Sequence, residues 1–243
     1  MAIGMHNTEK VEPKRRRSTY RPPEKVVEVP AKEAFAGLDS ESFLMAPPVL
    51  YTAGDLSLLN APYRVSIIGS RDASPDGLKR AARLARLLAE AGVVVVSGLA
   101  KGIDSAAHEA AIQAGGKTLA VIGTPLQRAY PAENAALQET IYRDHLLVSQ
   151  FSPTTKTFPS HFIARNRTMA MLSHASVIVE AGETSGSLSQ AAETQRLGRQ
   201  LFIMRNVMFS GLEWPHKFLN ALNVPVKAAV LDDVGQILRV LGV

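Results

Sequence analysis

From Tyr63 onward the chain alternates short, uniformly apolar runs with longer stretches of helical period, and this alternation limits the folds open to it. The runs are Val65 to Ile68, Val93 to Val96, Leu119 to Ile122, Leu146 to Ser149, Val177 to Glu180, Leu201 to Met204 and Val226 to Val230. They are apolar throughout and not only at every second residue, which suits strands covered on both faces. The segments between them are long enough for crossover helices, so the pattern predicts an α/β fold with a doubly wound, mostly parallel sheet. Asp76 to Ala91 illustrates the helices. Leu78, Ala81, Ala82, Ala85, Leu88 and Ala89 fall on one face and Gly92 ends it. Lys79, Arg83 and Arg86 lie opposite, either as a solvated face or as a stripe towards an anionic partner.

The 243 residues, 46% of them hydrophobic, suffice for one substantial core. No apolar run approaches the roughly 20 residues a membrane helix requires. The N-terminus has no secretory pattern and the chain has no cysteine, so a cytoplasmic location is expected and thiolate zinc sites and cysteine nucleophiles are excluded. Six scattered histidines show no ligand spacing; neither a metal nor a cofactor is expected. A net charge of +5 favours an anionic partner. Residues 1–30 hold seven basic side chains, including Lys14-Arg15-Arg16-Arg17, against four acidic ones. Rich in proline and glycine and poor in apolar residues, they read as a disordered basic N-terminal tail, an arm for nucleic acid or a solvated linker. The expected division is a tail with a short helix, residues 1–46, the amphipathic stretch being Lys32 to Met45, followed by one domain, 47–243.

In a sheet of this kind ligands bind beyond the carboxyl ends of the strands. The first run leads into Gly69-Ser70-Arg71, in which glycine permits close approach, serine offers a hydroxyl and arginine a fork for phosphate. The second leads into Ser97-Gly98-Leu99-Ala100-Lys101-Gly102-Ile103-Asp104, an anion cradle before a helix from Ser105 to Ala114 with Asp104 as its expected N-cap. His108 in that helix reads as packed or capping. Gly115-Gly116-Lys117-Thr118 precedes a strand and is not a nucleoside-triphosphate loop. Arg165-Asn166-Arg167 lies in a helix expected from Phe162 to Ser173, and Ser185-Gly186-Ser187 follows the fifth run before a helix near Leu188. Tyr130 and Phe162 lie near these loops, to stack on bases or to pack.

Taken in order, Ile68-Gly69-Ser70-Arg71, Ser97 to Asp104 with Ala107-His108, Tyr130-Pro131 with Glu133-Asn134, Arg165-Asn166-Arg167, and Glu180-Ala181 with Ser185-Gly186-Ser187-Leu188 resemble the motifs of the DNA-processing protein A (DprA/Smf) family. The resemblance covers roughly Pro48 to Met204. It implies an extended Rossmann-like domain that binds single-stranded DNA, dimerises, protects the strand and helps load a RecA-type recombinase in transformation or recombination. It implies no catalytic reaction. By position Gly69, Ser70, Arg71, Gly98, Lys101, Gly102, Arg165, Asn166 and Arg167 would contact phosphates, with Ser185, Gly186 and Ser187 as further DNA-binding candidates. The chain departs from the family where Arg205-Asn206-Val207 replaces the usual Val-Pro-Gly, and where a threonine is replaced near Gln190. The alternative is a small-nucleotide enzyme or sensor, in which Glu180 or Glu183 beside Gly182 acts on an N-glycosidic bond. The Pro-Gly-Gly-x-Gly-Thr loop of such enzymes is missing.

Overall fold

The computed structural model describes residues 20–243; the basic run Lys14 to Arg17 lies outside them. In chain order the elements begin β1 (Val27–Pro30), α1 (Ala31–Ala34), α2 (Ser40–Leu44), β2 (Val49–Gly54), β3 (Arg64–Gly69), α3 (Pro75–Glu90), β4 (Val94–Ser97), α4 (Ile103–Gln113) and β5 (Thr118–Ile122). They continue α5 (Ala135–Asp144), β6 (Leu146–Ser149), α6 (Pro159–Leu172), β7 (Ala175–Glu180), α7 (Ser187–Arg196), β8 (Gln200–Met204), α8 (Trp214–Leu219), β9 (Ala229–Leu231) and α9 (Val234–Leu241). The strands form one sheet in the order β1-β2-β6-β5-β4-β3-β7-β8-β9. Every pair from β6 to β9 is parallel, while β2 runs antiparallel to β6 and β1 to β2.

The apolar runs are uniform because successive residues feed opposite layers. Val65, Ile67, Val95 and Val177 pack against Leu84, Leu88, Ala107 and Ile237 of α3, α4 and α9. Val94, Val96, Leu119, Ile178 and Leu201 face the other layer, with Met169 and Leu172 of α6, Ala191 of α7 and Trp214. Helix α3 starts where Ser74 Oγ accepts from Gly77 N at 2.9 Å, with Pro75 in the first turn, and Gly92 beyond its end has a φ of +75°. His108 is fully buried between α4 and β5. Thr118 Oγ1 donates to Val95 O at 2.7 Å, so the ring Nδ1, 2.6 Å away, must donate to that hydroxyl. Burial, with His145 and Arg165 nearby, pushes its pKa down to about 3.

The sheet reaches further towards the N-terminus than the sequence suggests. Val27–Pro30 lies in the segment expected to be a tail yet forms the edge strand, and Val49–Gly54, which lies before the first of the apolar runs, inserts between β1 and β6. β1 is hydrogen-bonded to β2 and β2 to β6, far along the chain, pairings that local periodicity does not reveal. The stretch from Lys32 to Met45 forms two short helices, because Gly37 and the Asp39 cap interrupt it; Asp39 Oδ1 accepts from Ser42 N at 2.9 Å. The last expected strand is shorter, Ala229–Leu231, and α6 begins at Pro159, three residues before expectation.

Leu50 in β2 is wholly buried and Leu44 almost wholly exposed. Leu50→Ala is expected to cost about 2–5 kcal/mol in urea unfolding and Leu44→Ala less than about 0.5. Equal effects would mean that β2 is not part of the cooperative core. His108 also makes stability depend on pH. Its folded pKa is depressed, so its contribution is whole above the unfolded value of about 6.5 and is lost as pH falls towards 3, because only the unfolded chain takes up the proton. The acid side of the stability curve should therefore flatten in His108→Asn by up to about 1.4 kcal/mol per pH unit, and an unchanged slope would show that His108 protonates in the folded protein.

Candidate nucleic-acid interface

Strand order reverses at β3: β4, β5 and β6 lie on one side and β7, β8 and β9 on the other. The loops after β3 and β7 therefore diverge and leave a crevice. A cleft of ≈ 580 Å³ opens there between Gly69 to Asp72 and Gly182 to Ser187, walled by Phe162, Arg165, Asn166 and Met169 of α6. A smaller hollow of ≈ 230 Å³ adjoins it at Gly98, Lys101 and Tyr130.

Backbone contacts between loops set its shape. The β3–β7 register slips between Ile68 and Gly69, and Ser70 N donates to Glu180 O at 2.7 Å. The Glu180 carboxylate is committed to the same loop, accepting from Ser74 N at 2.8 Å and Ser74 Oγ at 2.6 Å. Gly102 has a φ of +85°, and a Cβ there would lie 2.4 Å from Ser70 O and 2.5 Å from Arg71 O, so the loop after β4 lies directly on the loop after β3. It also precedes α4 as the N-cap. Asp104, expected in that role, instead sits inside the first turn, buried, and accepts from Ala100 N at 3.3 Å. Burial raises its carboxyl pKa, opposed by the Arg165 charge.

The three residues of Arg165-Asn166-Arg167 go to three different places. Arg165 is 5% exposed; its Nη1 donates to Gly98 O and, at 2.8 Å, to Val121 O, so it clamps the loop after β4 to the end of β5. A Cβ on Gly98 would lie 1.8 Å from that nitrogen. Asn166 Nδ2 donates to Gly186 O at 3.0 Å and Ser189 Oγ at 2.8 Å, which holds the Ser185 to Ser187 loop. Ser185 Oγ and Ser187 Oγ are themselves 2.7 Å apart. Arg167 is outside the cleft lining and pairs with Glu193 of α7 at 3.1 Å. The accessible cations of the site are Arg71 and Lys101. Lys101 Nζ lies 3.9 Å from Asp72 Oδ1 with both side chains mostly in solvent, a weak pair.

Apolar groups gather at the mouth. The Tyr130 and Phe162 rings are 5.1 Å apart, and the Arg71 guanidinium lies 5.8 Å from the Phe162 centroid. Tyr130, Phe158 and Ile163 are exposed, and His161 stacks on Phe151 at 3.9 Å. Phe158, Ile163 and the structural part played by Asn134, whose Nδ2 donates to Leu99 O at 2.9 Å, were not legible in the motifs. Glu180 and Glu183 are absent from the lining. Glu183 accepts from Glu213 N, so neither carboxylate is directed at a bound molecule in the cleft.

The family model described as DNA recombination-mediator protein A matches residues 35–223. The chain belongs to the DNA recombination-mediator protein A family. The DNA processing protein DprA of Streptococcus pneumoniae is 44% identical over 167 residues, 69% of this chain and 58% of that protein, and the DprA of Bacillus subtilis is 37% identical over 67% and 55%. The chain thus spans less than three fifths of the length of these curated relatives. Among solved family structures, the S. pneumoniae DprA matches with a TM-score of 0.74 at 34% identity, covering 89% of this chain and 74% of that one. A structure describing the single-stranded DNA binding mode of DNA processing protein A from Helicobacter pylori matches at 0.75 and 28%, covering 93% and 98%. Two places where the sequence departs from the family pattern are well supported locally. Arg205 makes a two-pronged pair with Asp232, and Gln190 Nε2 donates to Ser66 Oγ at 2.7 Å within a buried Ser66, Ser176 and Thr194 chain.

Gly102→Ala meets both a positive φ and two carbonyl oxygens, whereas a Cβ at Gly182 meets nothing. In urea unfolding the first should cost more than about 1 kcal/mol and the second less than about 0.5. Indifference to Gly102→Ala would argue against the contact between the two loops.

Proposed function

We propose that this chain is a DNA-processing protein that binds single-stranded DNA in the β3–β7 cleft and catalyses no reaction there. One observation carries the reading: at one sheet edge, accessible cations, loop hydroxyls and exposed aromatic rings adjoin, while Glu180 and Glu183 are committed elsewhere and the lining Asp72 and Asp104 lie beside Lys101 and Arg165. A single strand presents phosphates and unpaired base faces together, and this combination of charge and ring surface answers both. In this reading Arg71, Lys101, Ser70, Ser185 and Ser187 meet the phosphates, with close backbone approach at Gly69, Gly98, Gly102 and Gly186. Tyr130, Phe158 and Phe162 offer faces to bases. Arg165 and Asn166 act by holding the loops, and Arg167 braces α6 against α7.

Family membership and the H. pylori relative's single-stranded DNA binding mode support this assignment. The partners it implies are a RecA-type recombinase and a second copy of the chain, with protection and handover of the strand as the task, in the cytoplasm. No helix among the described residues is long and apolar enough to cross a membrane. The basic run Lys14 to Arg17 adds sequence-independent attraction in the same reading.

Fluorescence anisotropy with labelled oligonucleotides across a salt series tests the assignment. Single strands should bind more tightly than duplex, and binding should weaken with salt. Arg71→Ala and Lys101→Ala should each cost about 1–3 kcal/mol and lower the salt slope by about one. Arg167→Ala should change affinity by less than about 0.5 kcal/mol. If neither DNA form binds, or if Arg71→Ala and Lys101→Ala both bind like the parent, the proposed interface is wrong.

A further inference from the structure

A second cationic cavity lies at the other end of the sheet. Arg64 opens β3, His174 directly precedes β7 and Arg199 directly precedes β8, so all three stand at the amino ends of adjacent strands. The six residues of β3 separate them from the cleft by about 20 Å at roughly 3.3 Å per residue. There the three side chains line a cavity of ≈ 260 Å³ together with Phe35, Leu59 and Ala61.

The donors in this cavity outnumber the acceptors. Arg64 N donates to His174 Nδ1 at 3.0 Å, which places the ring proton on Nε2. That nitrogen lies 3.5 Å from Arg64 Nη2, which can only donate, so two donors face one another. Arg199 Nη1 is buried and makes no hydrogen bond among the described residues. Neither arginine forms an ion pair among the described residues. Part of Arg64 is accounted for, since Nε donates to Leu172 O at 2.6 Å and Nη1 to Ala61 O. Burial lowers both arginines to about 10, so both stay cationic at neutral pH. Burial and the two guanidinium charges hold His174 down at about 4, so its ring is neutral. Asp39, outside the lining, offsets the Arg199 charge in part; the lining itself carries two positive charges and an additional N–H donor.

We infer that this cavity binds a phosphoryl dianion, either inorganic phosphate or the terminal 5′-phosphate of a nucleotide or DNA strand. A carboxylate or an internal phosphodiester carries one negative charge, whereas a phosphate monoester carries about −1.5 to −2 near pH 7, matching the two guanidiniums. Its oxygens can accept from Arg199 Nη1 and from the opposed donors of Arg64 and His174. This cavity and the β3–β7 cleft share no lining residue.

Titration calorimetry on the full chain at constant ionic strength provides the test, with inorganic phosphate, acetate, thymidine 5′-monophosphate, and oligonucleotides with and without a 5′-phosphate. Phosphate should bind saturably and acetate should bind at least about tenfold more weakly. Arg199→Gln should weaken phosphate by at least about tenfold and Arg199→Lys by less, because lysine keeps the charge and loses the fork. Arg71→Ala should leave the phosphate affinity within about twofold, which separates this cavity from the cleft. Tighter binding of the 5′-phosphorylated oligonucleotide than of its 5′-hydroxyl form identifies a DNA end as the source. Preference for inorganic phosphate identifies the free ion. Absence of saturable phosphate binding up to about 10 mM overturns the inference, as does binding that both Arg199 variants leave unchanged. If Arg199→Gln fails to fold by circular dichroism, Arg199→Lys alone decides.

Discussion

The reversal of strand order at β3 is the constraint on which the rest of this molecule depends. A parallel sheet satisfies its backbone groups internally and is covered by helices on both faces, so reactive surface is left mainly at the strand ends. At β3 the following loop turns towards β4 on one side, while β7, its other neighbour, sends its loop away. The space between cannot be filled by either crossover, and α6 supplies its wall. The same topology gathers the opposite strand ends, where Arg64, His174 and Arg199 meet although they are widely separated in the chain.

Within that frame the arginines divide according to burial. A guanidinium removed from water must have its donors met and its charge balanced, and Arg165 achieves much of this with two carbonyl oxygens and the nearby Asp104 carboxylate. Such a group holds a loop in place. Arg71, by contrast, remains in solvent beside a ring face. The distinction divides the arginines of one cleft into a buried support and an exposed side chain. Arg64 and Arg199 fit neither case fully: they are largely buried, yet their charges oppose one another and part of their donor capacity remains unmatched among the described residues.

Much of the architecture was legible in the sequence, for identifiable reasons. The runs at Val65, Val93, Leu119, Leu146, Val177 and Leu201 stand out because both faces of a central strand are buried, which makes each run apolar at every position. The glycine loops were visible because close backbone approach leaves few alternatives to glycine, as Gly98 and Gly102 show. Strands β1 and β2 were not visible in the same way. At the antiparallel edge, Val27–Pro30 and Val49–Gly54 are partly exposed, so their composition resembles that of a connecting segment.

For the site, the sequence by itself determined which chemistry is present: glycine loops, hydroxyls, two rings and a set of cations with no cysteine beside them. It determined family membership as well, because motif order survives without knowledge of contacts. Only the tertiary structure decided what each side chain faces. Arg165, Asn166 and Arg167 are consecutive, yet the helix directs them to the β4 loop, the β7 loop and Glu193 respectively. The reason is geometric: about 100° of rotation separates neighbours on a helix, and which element waits in each direction is set by the crossover connections of the whole sheet, not by local sequence.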